Sequence, residues 1–321
     1  MEYFVALCVP FLILMIFGRG LIKLLKILNF GQQVRNEGPK SHLNKEGIPT
    51  MGGVLIILAI LVTSLIFVDL KTPVIWALIT TTGMGLVGFF DDIIKVRTRR
   101  SLGLRAREKL AGQVLFGLLL ALYVYYYSDI GSTLIIPVSG QVIDLGYVII
   151  PFIIVVVIGT ANAVNLTDGL DGLAAGVTLI VASAFAVITS GLGLQGLTCY
   201  SLIISGACLG FIWYNSHPAQ VFMGDVGSLA LGGAIASIAV LSRTELFLLI
   251  IGAVYVVETL SVIIQVIYFR LTGGKRVFKM TPIHHHFELS GLAESKVVAR
   301  FWIISLIFAV LGIISFYLIG S

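Results

Sequence analysis

The chain reads as an all-α polytopic integral membrane protein, and three observations carry that reading. Of 321 residues, 58% are hydrophobic and only 12% are charged, about half the charged share of an ordinary soluble domain. Mean hydropathy is +1.05. The apolar residues also fall in runs of about 20, the length that carries a helix across a hydrocarbon core of about 30 Å. Unbroken runs exclude a β-barrel, whose strands alternate apolar and polar positions. They leave no room for a soluble domain, so residues 1–321 form a single transmembrane domain with no nucleic-acid surface.

About ten spans can be marked, at roughly 3–26, 51–69, 73–92, 109–127, 147–164, 173–190, 196–213, 227–242, 246–271 and 299–319. The first is a retained span rather than a cleaved signal, because its apolar run from Tyr3 continues to Leu28 and no A-x-A-like site follows. If that segment enters from outside, the basic residues sort by side. The inner gaps hold those of 19–45, Arg35 and Lys40 included, of 95–109 with Arg99, and of 270–300; the outer gaps hold only Lys71 and Arg243. Such an asymmetry sets orientation, with both termini extracytoplasmic. Cys8, Cys199 and Cys208 lie inside apolar segments and show no metal or disulfide spacing. Between the fourth and fifth segments, Thr133–Val138 and Gln141–Leu145 flank Ser139-Gly140, which predicts a small extracytoplasmic β-hairpin on a two-residue turn.

The inner gaps carry the polar clusters. Asp91 and Asp92 end the third apolar run, with Lys95 one turn later and Lys109 opening the fourth helix. Carboxylates in a span are costly and mark function. Two together need a cation or a shared proton, and amines beside them suit a diphosphate. Asn165, Asp168 and Asp171 recur every third residue, roughly one side of a helical turn. Lys45-Glu46-Gly47-Ile48-Pro49-Thr50-Met51-Gly52-Gly53 offers glycines for close backbone approach. Tyr214 to Ser228 includes Asn215, Phe222 and Asp225, the last placed where it could cap an apolar helix. Lys279 to Glu288 contains His284, His285 and His286. Consecutive histidines point different ways and do not fit zinc spacing; contact with an anionic ligand suits them better. All five clusters fall on one side and can converge on one pocket.

These motifs resemble the phospho-N-acetylmuramoyl-pentapeptide transferase family, within the polyprenyl-phosphate sugar-1-phosphate transferases. Phe89-Phe90-Asp91-Asp92, Asn165-x-x-Asp168-x-x-Asp171 and Phe222-Met223-Gly224-Asp225 carry the wider superfamily, and Pro282-Ile283-His284-His285-His286-Phe287-Glu288 the muramoyl branch. The resemblance spans the chain. It implies a bacterial plasma-membrane enzyme that forms lipid I and UMP from UDP-MurNAc-pentapeptide and undecaprenyl phosphate. It further implies Mg²⁺, a homodimer, and a ninth helix broken to leave a groove for the lipid.

By the same resemblance Asp225 would be the main magnesium ligand, Asp91 would act on the lipid phosphate, and Asp92 would support the metal and diphosphate. Lys95 and Lys109 would lie near phosphate. Asp171 and Phe222 would hold the uracil, with Lys45, Thr50 and Asn215 nearby. Asn165 and Asp168 belong to the same ligand-binding set. The three histidines would contact the donor's diphosphate or sugar. Glu258 and Gln265 share one face of the ninth segment, and Gln265 would reach the site. A UDP-GlcNAc-using sister enzyme would differ at the histidine loop. An ion-coupled transporter would place its acids near mid-membrane and show inverted repeats, which this chain does not.

Overall fold

A computed structural model describes residues 1–28, 30, 31, 45, 47–69, 72–98, 100 and 102–319; Arg35, Lys40, Glu46, Lys71 and Arg99 lie outside the described residues. In chain order the elements are α1 (Glu2–Ile27), α2 (Gly53–Phe67), α3 (Thr72–Thr98), α4 (Ala106–Tyr127), β1 (Thr133–Ile135), β2 (Val142–Asp144), α5 (Ile149–Thr167), α6 (Leu173–Gly191), α7 (Gln195–Asn215), α8 (Gly224–Leu241), α9 (Glu245–Ile251), α10 (Ala253–Leu271), α11 (Ile283–Glu288) and α12 (Glu294–Tyr317). Among the described residues, nine helices are long and apolar enough to cross a membrane.

The second expected span is shorter than its apolar run. Met51 and Gly52 form a turn, and the amides of Gly52 and Gly53 donate to the carbonyls of Phe222 and Met223, both at 2.9 Å. The helix therefore starts only at Gly53, and its 15 residues rise about 22 Å. The ninth segment is broken, as the family resemblance implied: α9 ends at Ile251 and α10 begins at Ala253, with Gly252 between them. Beyond Tyr255, α10 turns a largely apolar surface outward, including Val257, Leu260, Ile263 and Ile267.

The hairpin pairs Thr133 with Asp144 and Ile135 with Val142. Its turn differs from the two-residue expectation. The Ile136 amide donates to the Gln141 carbonyl at 2.9 Å, and the Gly140 amide returns to the Ile136 carbonyl at 3.0 Å. The loop is thus Pro137 to Gly140. Pro137 has no amide to donate to a ladder, which moves the turn's start upstream of Ser139.

Helix α8 is the central rod and packs against α3, α5 and α2. Its sequence GDVGSLALGGAIASIAVL is dominated by small residues, and every residue from Val226 to Leu241 is buried. Lipid tails are as apolar as leucine, so helices in a bilayer associate through close backbone packing at small residues. A Cβ placed on Gly53 would lie 2.2 Å from the Gly227 Cα, and one on Gly232 would lie 2.5 Å from the Ala161 Cα. Those contacts hold α2 and α5 against α8, with the Gly53 end of α2 beside the start of α8.

Candidate active site

Three of the expected carboxylates meet at that end. Oxygens of Asp91, Asp92 and Asp225 all lie within 4.8 Å of one another. Asp91 and Asp92 sit on the last turns of α3, and Asp225 on the first turn of α8. Asp225 is not the cap of its helix. The α8 N-terminus is taken by Asp92, whose Oδ2 accepts the Val226 amide at 3.0 Å, an anion placed where the helix dipole is positive. Gly224 makes this possible: it has φ +74, and a Cβ there would lie 2.5 Å from Asp92 Oδ2 and 3.0 Å from Thr50 Oγ1.

The freed Asp225 carboxylate faces inward. Its Oδ2 takes the ammonium of Lys109 at 2.6 Å and that of Lys95 at 3.0 Å. Its Oδ1 accepts from Asn165 Nδ2 at 3.0 Å, and Ser228 accepts from the same amide at 2.8 Å. Lys95 also reaches Asp91 Oδ2 at 2.5 Å and Asp92 Oδ1 at 3.4 Å. Asp91 Oδ1 accepts the Leu104 amide at 2.9 Å, which fixes the loop into α4. Two ammonium groups against three carboxylates leave a surplus of negative charge.

Asp171 belongs to a second knot, on the turn between α5 and α6. Lys45 Nζ bridges Asp171 Oδ1 at 2.7 Å and Glu294 Oε1 at 2.6 Å. Asp171 Oδ2 accepts the Ala219 amide at 3.1 Å and stands 3.0 Å from His217 Nδ1. Asn215 secures the same turn, accepting the Gly172 amide at 3.0 Å and donating to the Val221 carbonyl at 2.9 Å. Phe222, half-buried, lies on the loop before α8, where its amide donates to the Pro49 carbonyl at 2.8 Å and its carbonyl accepts the Gly52 amide at 2.9 Å. Lys45, Thr50, Asp171, Asn215 and Phe222 therefore come to one corner.

Sequence reasoning missed Glu294 and His217 there. His217 stood inside a noted motif, whereas Glu294 offered no spacing signal. Ser228 was findable, since it follows Asp225 by three residues on a helix face.

Within the histidine loop the three rings sit differently. His284 is turned inward, fully buried against Glu258, with Nδ1 3.0 Å from Oε1, and a Cβ on Gly169 would lie 2.2 Å from its Nε2. So enclosed, His284 packs between α10 and the α5–α6 turn rather than presenting a free ring to a donor. His285 Nδ1 lies 2.8 Å from Glu288 Oε2. His286 Nδ1 accepts the Lys279 amide at 3.1 Å. Gln265 does not extend a free amide into the site either. Its Oε1 accepts the amides of Val277 and Phe278 at 2.9 and 3.0 Å, and its Nε2 donates to the Phe278 carbonyl at 2.9 Å. Three of the four hydrogen-bonding directions of that amide are spent on the loop backbone.

The donor set formed by Asp91, Asp92 and Asp225 is all oxygen and net negative, which suits a hard divalent cation such as Mg²⁺. Asp168 adds to this. It is half-buried, and no hydrogen bond or ion pair reaches its carboxylate among the described residues. Burial, then the charges of Asp225, Asp92 and Asp171, push its pKa up to about 8. A half-buried carboxylate without a partner among other carboxylates is a place where a cation relieves strain in charge.

A family model described as glycosyl transferase family 4 matches residues 74–243. A phospho-N-acetylmuramoyl-pentapeptide-transferase signature matches residues 45–57. The chain is 51% identical over 314 residues to the phospho-N-acetylmuramoyl-pentapeptide-transferase of Carboxydothermus hydrogenoformans, covering 96% of each chain. To the enzyme of that name from Bacillus subtilis it is 48% identical over 307 residues, covering 94% of each. The chain belongs to the phospho-N-acetylmuramoyl-pentapeptide transferase family. Within that family's matched regions lie both charge knots apart from Glu294, from Lys45 and Thr50 in the signature to Asp225 in the larger model. The histidine loop lies beyond them.

Asp168 gives this transferase a pH signature. The native carboxyl keeps its proton up to about pH 8, whereas an unperturbed one loses it near 3.8. The folded state therefore binds more protons than the unfolded chain across that window, and stability falls as pH rises through it. Asp168→Asn removes the contribution. Melting temperatures in chelator between about pH 5 and pH 8 should fall less steeply for the variant than for the wild type. Parallel curves would show that Asp168 has a partner in solution.

Proposed function

We propose that the protein is a Mg²⁺-dependent transferase that moves phospho-N-acetylmuramoyl-pentapeptide from its UDP carrier to undecaprenyl phosphate. It releases UMP and leaves lipid I, at the cytoplasmic face of the plasma membrane and with both termini outside. One observation supports the reading above the rest: three carboxylates and two ammonium groups converge at one end of a membrane bundle. Membership of the family supplies the substrates.

In the reaction, an oxygen of the lipid phosphate forms a bond to the donor's sugar-side phosphorus. The bond from that phosphorus to the bridging oxygen breaks, and the electron pair leaves with UMP. Both substrates are anions, so the chain must first offset their repulsion. Lys95 and Lys109 are the cations at hand for the diphosphate. Asp91, at the end of α3, would take the remaining proton of the lipid phosphate, whose second pKa is about 6. Asp225, with Asp92 beside it, would hold Mg²⁺, which when bound offsets the charge gathering on the leaving UMP. The turn carrying Asp171 and the loop carrying Phe222 would receive the uridine, with Lys45, Thr50 and Asn215 supporting them.

Sealed vesicles test activity and sidedness together. Inside-out vesicles given UDP-MurNAc-pentapeptide and loaded with polyprenyl phosphate should release UMP, and right-side-out vesicles should not. Turnover by right-side-out vesicles alone would reverse the orientation. Preference of the purified protein for UDP-GlcNAc would overturn the muramoyl reading and keep the superfamily.

A further inference from the structure

Beside the histidine loop lies a cavity that the reaction just described does not use. It is an open cavity of about 280 Å³ between the second half of α10 and the loop before α11, lined by Val266, Phe269 and Met280 together with Arg270 and Arg276. Gln265 pins its floor through the backbone of residues 277 and 278. The arginines are under-used. Arg276 makes one long contact to the Lys279 carbonyl at 3.4 Å, and Arg270 has no hydrogen-bond or ion-pair partner among the described residues. Whole small-molecule sites run from about 300 to 1,000 Å³, so this volume suits one end of a ligand. Paired guanidinium groups prefer a planar anion they can grip in two places, above all a carboxylate.

Distance decides whose anion that is. Glu258 touches His284, which abuts Gly169 beside Asp168. Gln265 lies seven residues farther along α10, about 10 Å of helix rise. The acceptor lipid has a single phosphate, and that phosphate must meet the transferring phosphorus at the carboxylate end. It cannot react from this cavity. The donor differs, because its sugar separates the diphosphate from the peptide. A peptide attached to muramic acid through its N-terminus keeps a free terminal carboxylate.

We propose that Arg270 and Arg276 bind the C-terminal carboxylate of the donor's peptide, with Val266, Phe269 and Met280 receiving the terminal side chain. The assignment rests on the transferase reading above. It makes the cavity a specificity site: the enzyme measures the peptide's free end as well as its nucleotide.

The test uses the purified full-length protein, UDP-MurNAc-pentapeptide, and the same donor with its C-terminus amidated. The wild type should show a KM about tenfold or more higher for the amide, the scale of a lost charge-assisted contact. The double variant Arg270→Gln, Arg276→Gln should show that same rise with the free acid, no discrimination between donors, and unchanged kcat and acceptor KM. Equal treatment of both donors by the wild type would overturn the proposal. So would a variant impaired equally with acid and amide, or one whose defect falls on the acceptor KM, which would mark a lipid headgroup site. Failure of the wild type to release UMP from either donor would instead remove the transferase reading, and the peptide site with it.

Discussion

Asp225→Asn should reduce UMP release by about three powers of ten while the protein still folds. The carboxylate gathers Lys109, Lys95 and Asn165 around itself, and the proposed Mg²⁺ shares that centre. Asparagine keeps the shape but removes the charge. Loss of about 4 kcal/mol of transition-state charge stabilisation corresponds to that rate. The fold should survive because Asp92, rather than Asp225, receives the α8 N-terminal amide. Steady-state turnover at saturating Mg²⁺, beside a melting curve, checks both halves. Wild-type turnover in this variant would reduce Asp225 to a partner for two lysines.

Gly88→Ala, a change of one methyl group on α3, is the second large expected effect. A Cβ at Gly88 would lie 2.1 Å from the Asp225 carbonyl oxygen, 2.4 Å from its carbon and 2.6 Å from the Val226 nitrogen. All three are backbone atoms, so no flexible side chain can move aside. Ordinary contact needs about 3.5 Å, so α3 must back away from α8 by about 1 Å. That shift separates Asp91 and Asp92 from Asp225. Overpacking of this kind costs about 1–3 kcal/mol of stability, and 1 Å of misplacement can cost about a hundredfold in rate. Gly159→Ala is the control, because nothing lies within 4 Å of its Cβ position; it should melt and turn over like the wild type. A Gly88→Ala enzyme with wild-type kcat would show that the α3–α8 contact does not set the site.

The apolar runs made the spans legible, because a bilayer imposes length and hydrophobicity on any helix that crosses it. They misjudged some helix ends. The third run stops at Asp92, yet α3 continues to Thr98, and the last run begins near residue 299, yet α12 begins at Glu294. Hydropathy falls at the first charge, whereas the helix continues because its neighbours neutralise that charge. Asp91, Asp92, Lys95, Lys109, Asn165 and Asp225 were readable as a group, since costly residues clustered at one side of many spans. What could not be read was which groups would consume one another. Gln265 turns to a backbone and His284 is buried beside Glu258, and both outcomes depend on a loop whose path no spacing reveals. Gly88 looked like an ordinary small residue until its partner on α8 was known, whereas the Gly52-Gly53 pair already suggested a close backbone approach.

The burial of α8 has a consequence for how the protein meets membranes of different thickness. A helix walled in by α2, α3 and α5 has no lipid annulus to match, so hydrophobic mismatch exerts no direct torque on it. The mismatch acts instead on helices with exposed apolar faces, α10 and α12 above all, which respond by tilting. Within the bundle, the carboxylate cluster is insulated from the bilayer's mechanics, while α10, with its exposed apolar face and the arginine cavity beside it, is not. A thicker or thinner membrane thus adjusts the geometry of substrate entry and leaves the reacting groups in register.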